Sequence, residues 1–184
     1  MVSLTALWLA IVISAIIVFI VSSVIYTLLG YHGNDFIKLP AEDQVMTALR
    51  GFQIPPGDYA MPYATGMQEQ KTREYIEKRN RGPVAFLTVL PSGLGMVKSM
   101  VLWFCYTLLC GILTGYITGR ALGPNAGFWA VFRFSGSAAL ACYAVALLQN
   151  SIWYGRSWRA TATSMFDGVI YALFTAVTFG LLWP

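Results

Sequence analysis

The best candidates for functional residues in this chain are polar residues at the ends of long apolar runs. Lys98 opens the second run, Gln149 and Asn150 close the third, and Asp167 opens the fourth. If the runs cross a membrane in alternating directions, these residues share one membrane face with Arg159. An unpaired charge buried there costs several kcal/mol. We therefore expect a buried polar cluster of these five residues, in which Lys98 or Arg159 pairs with Asp167.

Two roles are open for this cluster, a structural clamp and a path for protons or ions. A path needs further ionisable groups deeper in the helices, and the runs supply only Arg133. The clamp is therefore favoured. Arg133 lies about one turn inside the third run, where it could extend with Arg120 toward lipid headgroups.

The single histidine, His32, does not indicate a metal or haem site. It cannot supply paired axial haem ligands within one chain. With Asp35 and Glu42 it makes a minimal metal set, but the spacing matches no recognised site.

The remaining motifs point away from familiar enzymes. Cys105, Cys110 and Cys142 lie inside apolar runs without a CxxC spacing, so they are expected to fill space. The sequence has no phosphate-binding loop, dinucleotide-binding glycine motif, serine-hydrolase elbow or zinc-protease motif. No catalytic residue and no metal ligand is expected, and no cofactor is indicated.

Four apolar runs of membrane-crossing length dominate the sequence, at residues 4–29, 97–117, 128–148 and 165–183. With 57% apolar residues, 11% charged residues and a mean hydropathy of +0.62, the chain could not build a soluble surface. Residues 1–5 carry no Lys or Arg and no small-residue cleavage site follows the first run, so this run is expected to be a retained anchor.

Charge is concentrated between the first two runs, where residues 35–81 hold seven acids and seven bases. The net charge of +4 therefore arises from residues that flank the runs, and nucleic-acid binding is not expected. The first and third loops carry most of the Lys and Arg. The positive-inside rule then predicts cytoplasmic loops on that side and both termini on the opposite, periplasmic side.

The polar insertion at residues 31–95 has a pattern of helices and strands. Helices are predicted at 41–50 and 67–80, an extended run ends near Tyr59, and a strand is predicted at 84–90. The predicted organisation is one transmembrane helix at 1–30, a small α/β interfacial insertion at 31–95, and three transmembrane helices at 96–184. The fold class is an all-α membrane protein with a four-helix bundle.

Small residues recur every four positions on two of the predicted helices. Close approach through small residues is a main source of helix association in lipid. We expect the second and fourth helices to make the tightest contacts of the bundle. The two stripes are Gly111, Gly115 and Gly119 on the second helix, and Gly168, Ala172, Ala176 and Gly180 on the fourth.

Several short motifs resemble a family of small bacterial inner-membrane proteins with four transmembrane helices and no assigned activity. The motifs extend over most of the chain. They are Leu39 and Pro40 with Glu42 and Asp43, residues 48–50, residues 56–59 with Pro62, residues 82–84, residues 132–134, residues 149–154, residues 166–168, and Trp183 with Pro184. The resemblance implies a bacterial inner membrane and transfers no catalytic residue.

Together these patterns favour a non-catalytic polytopic membrane protein, an accessory or assembly subunit of a larger membrane complex. The alternative is a small transporter or channel, which requires self-association because four helices with few polar residues hardly enclose a path. A membrane enzyme that uses the insertion is the third possibility. Expected partners are the lipid bilayer and other membrane subunits or further copies of the chain, with no nucleic acid.

Overall fold

The chain folds into eight helices, two short 3-10 turns and one two-stranded sheet, in a computed structural model that describes residues 1–93 and 95–184. The described helices are α1 (Trp8–Leu28), α2 (Glu42–Gly51), α3 (Met67–Gln70), α4 (Arg73–Arg81), α5 (Met96–Ala121), α6 (Phe128–Tyr143), α7 (Leu148–Tyr154) and α8 (Trp158–Leu181). The described strands are β1 (Gly57–Met61) and β2 (Ala85–Val89), and the 3-10 turns are Tyr31–Asn34 and Val145–Leu147.

The chain divides into two units. One, called the helical unit, combines Met1–Ile37 with Met96–Pro184, and the other, called the polar unit, is Lys38–Gly95. Residues 31–37, which were expected in the insertion, therefore belong with the long helices.

Four helical stretches are long and apolar enough to cross a membrane, as the sequence predicted: α1, α5, Phe128–Tyr154 and α8. The third stretch contains a 3-10 turn between α6 and α7. The fourth begins at Trp158, seven residues before the expected start at residue 165. Its polar first turns are helical because Thr161 is buried and accepts a hydrogen bond from the Ser151 hydroxyl of α7 at 2.7 Å.

The small-residue stripes pack closely, but the expected pairing of the second and fourth helices is wrong. The most extensive contact joins α6 and α8, followed by α1 with α5. On α5, Gly111 and Gly115 face Ile11 of α1, and on α8, Gly168 lies against the Tyr143 carbonyl of α6. A stripe marks where a backbone approaches closely, and it does not identify which helix approaches.

One end of the helical unit is tied together by backbone and indole hydrogen bonds. The Val2 amide donates to the Gly119 carbonyl at 2.8 Å, and the Asn125 amide donates to the Pro184 carbonyl at 2.7 Å. The indole of Trp183 donates to the carbonyl of Gly123 at 3.0 Å. The two chain ends and the α5–α6 connection therefore lie together at this end.

The polar unit contains the predicted elements with one difference. Strands β1 and β2 pair antiparallel, with Tyr59 opposite Leu87. The helix expected at 67–80 is divided into α3 and α4, because the Thr72 hydroxyl accepts from the Tyr75 amide at 3.3 Å and caps a new helix. In α4, Glu74 lies 2.7 Å from the Lys78 ammonium and raises the pKa of this group.

The polar unit has no core of its own. Across the described part of Lys38–Gly95, no residue is fully buried. Large apolar side chains are exposed on both helices and strands, among them Phe52 at 74% and Met67 at 75%. An isolated two-stranded sheet is marginally stable in water, so burial of this surface elsewhere would stabilise the unit.

Candidate functional site

The segment after α1 folds back against α8. Helix α1 ends at Leu28, and Gly30 adopts a left-handed conformation with φ of 60° that reverses the chain. The following 3-10 turn, Tyr31–Asn34, contacts α8. This turn brings two polar ring side chains, Tyr31 and His32, to one carboxylate of α8.

That carboxylate belongs to Asp167, which is 2% exposed. The Tyr31 hydroxyl donates a hydrogen bond to Oδ1, and His32 Nε2 lies 2.8 Å from Oδ2. Each oxygen of the buried carboxylate is thus matched by one partner from the turn. This is the arrangement that a buried charge requires, because an unpartnered one would carry its full desolvation cost.

His32 also contacts a second carboxylate. Its Nδ1 lies 2.6 Å from Asp35 Oδ2, and the side chains of His32, Asp35 and Asp167 are only 11%, 7% and 3% exposed. A neutral imidazole has one N–H, so it can donate to only one of the two carboxylates of this Asp35–His32–Asp167 triad, whereas an imidazolium can donate to both.

Aromatic rings cover the triad. Tyr26 stacks on the imidazole with ring centroids 4.3 Å apart and an interplanar angle of 10°. Phe166 meets the Tyr31 ring edge to face at 6.3 Å. Burial raises the pKa of Tyr31 above its usual value, and the hydrogen bond to Asp167 raises this pKa further. The phenol therefore stays protonated and remains a donor at neutral pH.

One acceptor of the site is unused. Asp35 Oδ1 is buried and has no hydrogen-bond partner among the described residues. The Tyr171 hydroxyl, one helical turn beyond Asp167 in α8, is likewise buried without a partner there. Asp35 Oδ1 can therefore accept a hydrogen bond from a water molecule without displacing an existing contact.

The sequence-predicted cluster does not assemble around Asp167 as expected. Lys98, Gln149 and Arg159 are exposed, and Asn150 is half-buried with its carbonyl accepting from the Arg156 amide at 3.2 Å. Within the described residues, neither Lys98 nor Arg159 forms an ion pair with Asp167. The long cationic side chains stay in the exposed layer, where solvation is retained, and the shorter, rigid His32 takes their place.

Other candidate residues have separate positions. Cys110 is buried, Cys142 is half-buried and Cys105 is exposed. Glu42, grouped with His32 and Asp35 as a minimal metal set, lies in the polar unit 3.9 Å from Lys38. Over residues 1–93 and 95–184, no three His, Cys, Asp or Glu side chains are arranged to hold a metal ion.

Sequence reasoning found Asp167 and missed its partners. The available signal was the three-residue spacing of His32 and Asp35 directly after the first apolar run, which places both side chains on one face of a helical turn. Comparison with known proteins adds no further guide, because no protein-family model, curated protein or solved structure matches this chain.

Proposed function

We propose that this chain is an integral membrane protein with four transmembrane helices, which acts as a non-catalytic accessory or assembly subunit of a larger membrane complex. The helical unit supplies the anchor, and its exposed apolar surface on α1, α5, α6 and α8 suits a hydrocarbon environment. The polar unit supplies the surface for assembly.

The observation that carries this proposal is the absence of a buried residue in the described part of the polar unit. A folded segment with exposed Phe52 and Met67 gains stability when another surface covers them. Burial of such side chains contributes about 1.5–3 kcal/mol each, which is enough to drive docking. A subunit that completes its fold on a partner fits this property.

In this proposal the Asp35–His32–Asp167 triad is a structural clamp. It fixes the turn after α1 onto α8 within the helical unit. The clamp makes the first anchor and the last anchor one rigid support.

We place the protein in a bacterial inner membrane, with both termini periplasmic and the polar unit cytoplasmic. The support is the Lys and Arg content of the first and third loops. A membrane-impermeant thiol reagent applied to intact spheroplasts should label Gly123→Cys, where a side chain meets open space, and should not label Lys71→Cys. The reverse pattern would invert the orientation.

The subunit role is tested by native mass spectrometry of the tagged protein, extracted in mild detergent from its own host. Other polypeptides at a fixed ratio are expected. Phe52→Ala should lower their share, whereas Ile20→Ala, at an exposed apolar position on α1, should leave it unchanged. A homo-oligomer without other chains would reject the subunit role.

A second candidate, a small homo-oligomeric transporter or channel, is favoured by the buried cluster of ionisable side chains that Asp35, His32 and Asp167 form. Ionisable residues inside membrane helices commonly mark proton or ion paths. Asp167→Asn separates the two functions. Loss of proton flux in vesicles with assembly intact supports transport, and loss of assembly supports the clamp.

A further inference from the structure

A groove runs along the outer surface of the helical unit between α6 and α8, and it is called the α6–α8 groove here. It has a volume of about 370 Å³ and a mostly apolar lining that combines small and large side chains. Its lining includes Arg133, Gly136, Ser137, Leu140, Leu173 and Ala176. The groove opens on the outer surface of the helices. In a membrane this surface faces lipid, so a lipid is the expected occupant of the groove.

Arg133 is the charged residue of this groove. It is the sixth residue of α6, and its Nε donates to the Trp129 carbonyl at 3.1 Å. That bond holds the guanidinium in place and leaves both terminal nitrogens available. Within the described residues no Asp or Glu pairs with Arg133, and its side chain is exposed. A cation in a membrane helix that has no acidic partner in its own chain is stabilised when an anion from the surroundings binds to it.

We propose that the α6–α8 groove binds one anionic phospholipid of the surrounding bilayer. Its phosphate accepts from the terminal nitrogens of Arg133, which suit a phosphate in a bidentate geometry. One acyl chain lies along the groove past Gly136 and Ser137, where small side chains leave room. From Arg133 to Leu140 the groove follows α6 for about 10 Å, the length of seven residues.

The other arginine at this end of the helical unit differs from Arg133. Arg120 has its guanidinium carbon 5.5 Å above the Tyr116 ring and Nη1 3.2 Å from the Met1 sulfur. Its charge is thus already covered by groups of its own chain. Arg120 lines a separate hollow of about 420 Å³ with residues 1–4 and Tyr116 and with no residue of α6 or α8, so it provides a control with the same charge at the same end of the helical unit.

The experiment is native mass spectrometry of the purified full chain released from nanodiscs that contain equal amounts of phosphatidylglycerol and phosphatidylcholine. The wild type should retain one phosphatidylglycerol in preference to phosphatidylcholine. Arg133→Gln should weaken this retention by about tenfold or more, since a charge-assisted hydrogen bond contributes about 1.5–3 kcal/mol. Arg120→Gln should retain the lipid as the wild type does.

Ser137→Leu keeps the charge of Arg133 and fills the groove, so it should also reduce phosphatidylglycerol retention. This second variant tests the groove independently, in case Arg133→Gln does not fold. Equal retention of the two lipids by the wild type, or unchanged retention by Arg133→Gln, would overturn the inference while the membrane placement stands. The inference rests on that placement. Failure of the wild type to enter nanodiscs would reject both proposals.

Discussion

His32 and Asp167 lie 135 residues apart in the chain, yet His32 Nε2 is 2.8 Å from Asp167 Oδ2. This contact joins the turn that follows the first long helix to the middle of the last one. Because Asp35 holds the other ring nitrogen, the imidazole cannot rotate away without losing two carboxylate contacts at once. The triad is therefore a rigid link between the two helices.

The Tyr31 hydroxyl is expected to stabilise the helical unit. Tyr31→Phe removes its hydrogen bond to buried Asp167 and should lower the free energy of unfolding by about 1.5–3 kcal/mol, the range for a bond to a charged group. Denaturant unfolding of the detergent-solubilised protein measures the loss. Tyr26→Phe is the control, because the Tyr26 ring stacks on His32 while its hydroxyl makes no hydrogen bond within the described residues. Equal losses in the two variants would contradict the role of the hydroxyl.

Stability should also fall in alkaline solution because of Tyr31. The pKa of Tyr31 is raised in the folded protein by burial and by Asp167, whereas an unfolded chain releases this proton near pH 10. Above that pH the unfolded state binds fewer protons than the folded state, so the free energy of unfolding decreases as pH rises.

The corresponding measurement follows the unfolding midpoint across pH values of about 8 to 11. Tyr31→Phe should show a smaller alkaline decrease than the wild type. Tyr63→Phe, an exposed position in the polar unit, should show the wild-type decrease. An identical pH dependence in all three proteins would contradict the assignment.

Gly168 is expected to tolerate no side chain. A Cβ there would lie 2.7 Å from the Tyr143 carbonyl oxygen and 2.9 Å from Ala144 Cβ, so α6 and α8 would have to separate. Gly168→Ala should therefore destabilise the helical unit by about 1–3 kcal/mol. Gly127→Ala, at a position with open space, is the control in the same thermal unfolding assay. Destabilisation of similar size in both would show that the close approach is unimportant.

The hydrogen bond between the buried hydroxyls of Ser151 in α7 and Thr161 in α8 is expected to stabilise the first turns of α8. Thr161→Val leaves the Ser151 hydroxyl without its acceptor at 2.7 Å and should cost about 1 kcal/mol. It should also increase amide hydrogen exchange at the start of α8, near Trp158. Thr163→Val removes only a bond to the backbone of its own helix and should leave that exchange unchanged. Unaltered exchange in Thr161→Val would contradict this role.

The elements of this fold follow from local sequence, whereas their pairings do not. Length and composition were enough to predict four long apolar helices, and turn residues such as Gly82 and Pro83 were enough to place strand β2. The end of the helix at residue 70 was missed because a cap by Thr72 competes with an otherwise continuous helical pattern. Local hydrogen bonding decided that boundary.

The partner of Asp167 in the candidate site also could not be predicted from local sequence, because it comes from a distant part of the chain. Asp167 was expected to be buried and paired because an apolar run surrounds it, and it is buried. Its partner was expected among cations near the same helix ends, but helix packing brings His32 to it instead. Which helix lies beside α8 depends on tertiary packing, and the small-residue stripes carry no such information. A long-range partner of this kind is set by the fold as a whole.

The separation of 135 residues between His32 and Asp167 has a consequence for synthesis of the chain. Ribosomes extend a chain at about 5–20 residues per second, so about 7–27 s pass between the two residues. During that interval His32 has been made and Asp167 has not. The turn after α1 therefore stays without its contacts to Asp167 until the last helix has been made, although α1 can already pack against α5.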